Sequence, residues 1–465
     1  LSLSLKVAVW LTEWAKSDLG HATLAALPRG SDPLKAVLGL RKLGLRSEQS
    51  AAVAELHELR SRAAAKFEQA DQLFFTRRAY EQASGQNTAR WKVHGLRRLA
   101  TEKPPVLLDL CCGIGGDLLE FSRHFPTLAL DRDPALVHLT RENLHTISAG
   151  ESVPLSPCLV MEADVCSLVP SFGTPPDLSR LVLGPQKRLA DWLPFLPSEA
   201  SQWADTHGLG DRLVVWHLDP DRRDERGRHT SLADLSPNED FLRALLAWSG
   251  TGMIKLAPAT ELSEEWQGIG HWQWLGSDRE CKQLLGWFGF DGIWKSGYRS
   301  VAVARRNAPG WDHWQPAEHS SAARAKRTEP RRYLHEPHPA FYAARLAETY
   351  AAEHGCELLV GGDYFTADQV IAETMELCSA FEVLEVLPLR VEKIRDWLAR
   401  ENRELKEIKS RTVAEKDWKP LTLLVGTLGR QALGKGVSAL LFQQAKPGGK
   451  ALRVALCERL AGRSP

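Results

Sequence analysis

From about residue 6 to residue 100 apolar positions recur every three or four residues, as in "AAVAELHELRSRAAAKF" (51–67), with no strand-like alternation. This pattern predicts a helical N-terminal region, 1–100. After Pro104 and Pro105 the period changes: the aliphatic runs "VLLDL", "TLALD", "CLVMEAD", "RLVVWHLD" and "GMIKLA" stand between helical stretches. Apolar strands separated by helices predict an α/β fold over 101–305, a mostly parallel sheet covered on both faces. Between Asp164 and Leu213 lies a Pro-rich stretch longer than one crossover helix requires, expected to be an insertion that could form a lid or a substrate wall. "QLLGWFGFDGIWKSGYRSVAVARR" reads as a helix followed by a terminal hairpin.

Residues 306–330 are polar and poor in aliphatics, which fits a linker. A second, smaller α/β domain is expected over 331–465. It begins with "YLHEPHPAFYAARLAETYAAEHG" and continues through "AFEVLEVLPL", an amphipathic helix around "VEKIRDWLARENR", and the strand-like "LKEIKSR" and "LTLLVGTLG". From Arg390 to the end there are seventeen Lys and Arg against eight Asp and Glu, an excess hidden in the whole-chain net charge of +1. That near-neutral balance argues against a basic surface over the whole chain, so any anion-binding face must be local.

Composition adds three exclusions. The eight cysteines include no C-x-x-C pair, so reduced thiols in a cytoplasmic protein are expected, with no disulfide framework and no metal site. The apolar start "LSLSLKVAVW" is soon interrupted by Glu13, Lys16 and Asp18, with no small-residue cleavage site, so no signal peptide is expected; the first residue is Leu, and the opening residues carry little weight. No apolar run approaches the roughly 18–20 residues needed to span a bilayer, so no membrane partner is expected.

The chemistry concentrates in "VLLDLCCGIGGDLLEF" (106–121). A P-loop is excluded because no Gly-Lys-Ser/Thr follows. For dinucleotide binding, Gly113 and Gly115 fit G-x-G, but the third glycine position is Leu118, and Asp117 at the helix start would repel a pyrophosphate. Acids at both ends of a glycine turn suit a cationic cofactor without phosphate. The next strand ends at Asp131, followed by Arg132, about twenty residues on, where a carboxylate can accept from both hydroxyls of a ribose; Asp133 is the alternative, and Asp131 could instead cap a helix starting near Pro134. "VMEADV" places Asp164 after the third strand.

Asp109-Leu-Cys-Cys-Gly-Ile-Gly-Gly-Asp117 resembles motif I of the class I S-adenosylmethionine (SAM)-dependent methyltransferases, which share a Rossmann-like fold. The resemblance implies that the Asp109 region holds the methionine end of SAM, that Gly113, Gly115 and Gly116 let the backbone approach it, and that Asp164 lies near the adenine amine. Cys111 stands where the family form has its first glycine, which suggests a backbone position that need not be glycine-only. The strand "VVWHL" runs into Asp219-Pro220-Asp221-Arg222-Arg223. The amine-methylating relatives carry Asp/Asn/Ser-Pro-Pro-aromatic here; Asp219 and Pro220 match, and Asp221, Arg222 and Arg223 do not. The departure puts a flipped-base amine in doubt, while the arginines could bind a phosphate or carboxylate; a solvated charge cluster is the plainer alternative.

Lys255 in "GMIKLAPA" faces the same sheet edge and either lines the pocket or is a surface lysine at a strand end. Cys158 and Cys281 are the thiols considered as nucleophiles, and both read better as buried structural residues. In "FFTRRAYEQAS" Tyr80 or Gln82 could touch SAM, although a core role for Phe74, Phe75 and Tyr80 is the commoner use of such residues. Together with "LDPDRR", "KLAP", "ECK" and the tail motifs, this segment makes nearly the whole chain similar to bacterial class I methyltransferases with a C-terminal THUMP-like domain. That resemblance implies RNA, tRNA or rRNA, as substrate, a methyl group transferred to a base nitrogen, and a tail whose Lys406, Lys409 and Arg411 contact phosphates. Two other readings stay open: a small-molecule or protein methyltransferase with an anionic substrate, and a catalytically silent RNA-binding factor.

Overall fold

The computed structural model describes residues 3–28, 30, 32–99, 103–168, 172–221, 223–224, 227–228, 231–306, 308–317, 327–359, 364–371, 376–425, 436–446 and 449–460. The chain divides into two compact units, Leu1–Trp272 with Leu284–Tyr298, and Gln273–Gln283 with Arg299–Pro465. No described helix is long and apolar enough to cross a membrane.

The first unit opens with helices α1 (Leu5–Lys16), α2 (Asp18–Ala26), α3 (Pro33–Lys42), α4 (Ser47–Ala63), α5 (Arg77–Gln82) and α6 (Gln86–Leu96). Short polar residues start several of them: Ser4, Ser17, Asp32 and Thr76 each accept a backbone N–H of the first turn. The sheet that follows contains β1 (Val106–Leu110), β2 (Thr127–Asp131), β3 (Cys158–Glu162), β4 (Val214–Leu218) and β5 (Gly252–Leu256) in the parallel order β3-β2-β1-β4-β5. The short helix α7 (Leu118–Phe121) follows β1, and α8 (Pro134–Gly150) follows β2, capped by the Asp133 carboxylate. β1, β4 and β5 are buried along their whole length, as both-face burial of a parallel strand requires.

The N-terminal helices share one core with the sheet domain. Leu56, Leu59, Phe67, Phe75 and Tyr80 pack in a single cluster with Ile114 of the glycine loop, Leu119 of α7 and Ala135, Leu139 and Ile147 of α8. The insertion after Asp164 is held elsewhere. Trp192 stands edge-on to Trp248 at 4.5 Å between ring centroids, and Phe172 stacks on Trp248 at 5.0 Å.

Two sequence expectations are corrected in these elements. "QLLGWF" belongs to a strand, Glu280–Phe288, whose last five residues pair antiparallel with β5. A short continuous apolar run does not distinguish a buried strand from a buried helix by period, and here the ring of Trp272 lies 2.6 Å from where a Cβ on Gly286 would sit, a space only glycine leaves. In the expected linker, Trp311–Trp314 forms a strand antiparallel to Arg299–Ala304.

Among the described residues the second unit is built on an eight-stranded mixed sheet, with Tyr333–Pro337 between Phe365–Ala367 and Cys378–Pro388, and the long hairpin Gly436–Lys446 and Gly449–Arg459 beside the latter. Helix Val391–Arg400 presents Ile394, Trp397 and Leu398 to its core. "LKEIKSR" supplies the strand Glu404–Lys409. "LTLLVGTLG" is no strand in its described part: Leu421–Leu424 lie in a 3-10 turn, Val425 makes one bridge to Leu405, and 426–429 lie outside the described residues. The basic residues expected to meet phosphate are largely engaged within the unit. Lys409 is buried with its ammonium on Glu336, Arg411 lies over the Tyr342 ring and donates to the Pro337 carbonyl, and Lys406 pairs with Glu404.

Candidate functional site

The carboxyl ends of β1 to β4 open into a cavity of about 1120 Å³ at the place where the strand order reverses, the crevice in which open parallel sheets hold their ligands. Its floor is set by strand register. Asp109 of β1 and His217 of β4 are direct partners, so their side chains emerge together, with Nδ1 of His217 2.7 Å from Oδ1 of Asp109. Phe121 meets the imidazole edge-on at 5.3 Å. Both polar residues are about 1% exposed.

Lys92 of α6 enters this floor from the helical region. It is fully buried, with Nζ 2.7 Å from Oδ2 of Asp117, 3.2 Å from Nε2 of His217 and 3.3 Å from the Ser84 hydroxyl. Ser84 also donates to Oδ2 of Asp117 at 2.7 Å. Burial alone would raise the Asp117 carboxyl, but the Lys92 ammonium, together with His217 and Lys255, outweighs it and holds Asp117 well below the usual carboxylate range. Burial pushes Lys92 itself down, opposed by Asp117; an ionised carboxylate at 2.7 Å is what keeps such an amine charged. Asp109 is pushed up by burial, against the His217 hydrogen bond. Two buried oxygens of this cluster, Oδ2 of Asp109 and Oδ1 of Asp117, have no hydrogen-bond partner among the described residues.

The glycine loop above the floor is tightly constrained. Gly113 has φ +57°, and its N–H donates to Asp131 at 2.8 Å while Thr140 donates to its carbonyl at 2.6 Å. Gly116 is required by the docked N-terminal segment: a Cβ there would lie 2.9 Å from the Ser84 carbonyl oxygen. Cys111 has φ +64°, so this position does adopt the left-handed conformation that glycine favours, and the cysteine takes it at a cost of about 1–2 kcal/mol. The Cys111 and Cys112 thiols are both pushed well above their ordinary value by burial, and burial takes Cys158 and Cys281 up to about 12, so none of the four presents a thiolate. Asn143 of α8, 1% exposed, clasps loop and helical region together: its Oδ1 accepts from Phe74 N at 2.7 Å, and its Nδ2 donates to the carbonyls of Phe74 at 3.1 Å and Ile114 at 3.2 Å.

Of the residues singled out in the sequence, Gln82, Asp109, Cys111, Gly113, Gly116, Asp117, Asp131, Arg132, Asp164, Asp219, Pro220 and Asp221 line the cavity. Asp131 accepts backbone N–H groups of Gly113 and Asp133. Gly115 turns away, its φ +84° bringing it against Thr140, and Tyr80 sits in the helical core with its hydroxyl donating to the Arg62 carbonyl. Lys255 lies behind the wall, buried, with Nζ 2.6 Å from Oδ2 of Asp219 and 2.7 Å from the Gln82 carbonyl. Gln82 and Arg78 both hold Asp221, Gln82 through Nε2 at 2.7 Å. Arg222 lies outside the described residues, as does the side chain of Arg223.

Three members of the floor, Ser84, Lys92 and His217, were not singled out from the sequence. His217 carried a usable signal, a polar residue inside an apolar strand and two positions before Asp219, hence on the same face. Of the described insertion residues after Asp164, only Val165 and Cys166 reach the cavity; the outer wall comes instead from the N-terminal helices through Ala51, Ala52, Glu55, Arg77 and Arg78. Among the described residues the lining carries ten carboxylates against three arginines, Arg77, Arg78 and Arg132. No group of three or more His, Cys, Asp or Glu among the described residues is placed to hold a metal ion.

No protein-family model matches the sequence, and no curated protein matches it. Among solved structures, the chain is similar to a candidate methyltransferase from Porphyromonas gingivalis, with a TM-score of 0.63 at 17% identity over 98% of this chain and 100% of that one. At this identity the likeness establishes the fold, an α/β architecture shared from end to end. A hypothetical protein of Thermus thermophilus matches 43% of this chain and 82% of its own at 15% identity and a TM-score of 0.24. A DrdV–DNA complex matches 68% of this chain and 40% of its own at 11% identity and a TM-score of 0.30. Scores below 0.5 do not define a shared fold.

Proposed function

We propose that this chain is a SAM-dependent methyltransferase with a class I, Rossmann-like catalytic domain, acting on a base nitrogen of RNA. The observation that carries the reading is the pair of unpartnered, buried carboxylate oxygens on Asp109 and Asp117 in a cavity at the strand-order reversal, with Asp131 at the end of the adjacent strand. Buried acceptors without donors suit a ligand that brings its own cation, and Asp131, both of whose oxygens keep a free lone pair, suits a vicinal diol. SAM has both groups, so the donor set fits it: Asp109 and Asp117 would hold the ammonium and Asp131 the ribose.

Bound there, the cofactor would supply an electrophilic methyl group. The chain's own work is orientation and proton acceptance. Lys255, anchored on the Gln82 carbonyl, fixes Asp219 at the mouth of β4, and Asp219 accepts a hydrogen bond from the substrate nitrogen so that its lone pair points into the cavity. The same carboxylate takes the proton that the nitrogen loses. The preponderance of acid in the lining weighs against a small molecule of net negative charge, whereas SAM, with an ammonium and a sulfonium against one carboxylate, is net positive.

What supports RNA is the resemblance of the tail motifs to THUMP-like domains, together with a basic face on the first unit. Arg90, His94, Arg97 and Arg98, all four exposed, line a depression of about 380 Å³ together with Glu120; Arg90 is paired with Glu68 and Glu120, and Arg97 has no acidic partner among the described residues. An exposed arginine cluster of this kind neutralises backbone phosphates without reading sequence. The test is methyl incorporation from labelled SAM into total RNA, followed by identification of the modified nucleoside by mass spectrometry. Incorporation that Asp219→Ala abolishes supports the reading. SAM binding with no incorporation into any RNA fraction sinks the RNA part, and no SAM binding sinks the whole.

A further inference from the structure

Lys92 belongs to the helical region, yet it touches both acids of the cavity floor, one directly and one through an imidazole. We infer that Lys92 is a positioning residue that prepares the two free carboxylate oxygens for a cationic ammonium group, and that it discriminates ligands carrying such a group from those lacking it. The inference rests on the SAM reading above and assigns a role to a side chain outside the loop and strand ends.

The argument runs from donor and acceptor capacity. A lysine ammonium has three N–H donors and no lone pair, so the 3.2 Å contact requires Nε2 of His217 to accept. The proton of the ring then sits on Nδ1 and is donated to Oδ1 of Asp109 at 2.7 Å. A second donor of Lys92 goes to Oδ2 of Asp117, the oxygen that Ser84 also serves. Each acid is therefore satisfied on one oxygen only, by donors traceable to one ammonium, and each keeps the other oxygen bare.

Bare oxygens on two carboxylates, both about 95% buried or more and both lining one cavity, are costly unless a donor arrives. A ligand ammonium supplies that donor. Without Lys92 the imidazole is free to rotate or change tautomer, Asp117 loses its counter-charge, and the two acceptors no longer present a fixed geometry. The adenine and ribose portions would be unaffected, since Asp131 and Asp164 make no contact with this cluster.

The experiment measures dissociation constants of S-adenosylhomocysteine, which carries the ammonium, and of methylthioadenosine, which lacks the amino-acid portion, by calorimetry on the full chain. For Lys92→Met we expect at least a tenfold loss for the first ligand and less than a twofold change for the second. Asp117→Asn, which keeps the shape of the floor, should show the same selectivity and serves if Lys92→Met does not fold. Lys92→Gln, which removes the charge but keeps a donor, is read in the same way as Lys92→Met, because Asp117→Asn also removes a direct contact to the ammonium. Equal loss for both ligands in the Lys92 variants would mean that Lys92 merely supports the fold, and no loss for either would remove its role; both results overturn the inference while leaving the SAM reading intact. Failure of the unaltered protein to bind S-adenosylhomocysteine overturns the SAM reading itself, and this inference with it.

Discussion

Replacing Asn143 by Leu tests whether the glycine loop is held by the helical region. Leucine keeps the branching of asparagine but removes every polar atom, so it orphans Phe74 N–H, the Phe74 carbonyl and the Ile114 carbonyl at a site 1% exposed. At about 1–3 kcal/mol for each unsatisfied buried group, with the carbonyls at the low end, the expected loss is roughly 3–6 kcal/mol. That is a large share of the roughly 5–15 kcal/mol typical of a folded protein. Asn143→Asp sharpens the test: the carboxylate still accepts from Phe74 N but faces two carbonyl oxygens with no donor, so at neutral pH it should be at least as damaging as leucine. Lowering the pH should relieve it in part, because a protonated acid regains one donor. Urea unfolding followed by tryptophan fluorescence measures both variants. A leucine variant within about 1 kcal/mol of the parent, or an aspartate variant indistinguishable from it, would refute the clasp, since either outcome lies below the cost of even one orphaned buried group.

Three further outcomes are expected. Cys111→Gly should raise stability by roughly 1 kcal/mol because the left-handed φ no longer strains a side chain, whereas Cys111→Val should lower it; thermal unfolding reads the sign of each. Burial holds His335 and His338 at about 4, below the ordinary imidazole value, so their contribution to stability is complete above about pH 6.5 and is lost as pH falls toward 4, at most about 3 kcal/mol for each. Unfolding midpoints across that window should fall, and should fall less in His335→Gln. Finally, Asp131→Ala should weaken SAM binding about tenfold or more through loss of the diol acceptor, and should also lower the unfolding midpoint because the Gly113 and Asp133 N–H groups lose their acceptor, as calorimetry and thermal unfolding together would show.

The parts of this molecule that could be read along the chain are those whose signal is local. β1 to β5 announce themselves as aliphatic runs, and Asp109, Asp131, Asp164 and Asp219 follow because each stands at or just after the end of such a run. Residues that meet across long separations gave no such signal. Lys92 and Asp117 are 25 positions apart, Lys92 and His217 are 125 apart, and only the register of β1 against β4 and the docking of α6 bring them together. Asp117 shows how this changes an argument. Read alone it is a carboxylate that repels a pyrophosphate; paired with Lys92 its charge is largely balanced, and the case for a cationic ligand moves to the oxygen it leaves bare. The strand at Glu280–Phe288 was missed for another reason, since a run buried on one side of its length carries no period.

The shared core of α4 and α8 also bears on how the chain is made. Leu56 and Leu59 leave the ribosome some eighty residues ahead of Leu139, a member of the same core cluster in the finished protein. At about 5–20 residues per second of synthesis the early helices spend roughly 4–16 seconds with that face open to water or to a chaperone. A ribosome pause between residues 64 and 150 would lengthen this exposure, so the codons of that interval are where synthesis speed would govern the yield of native protein.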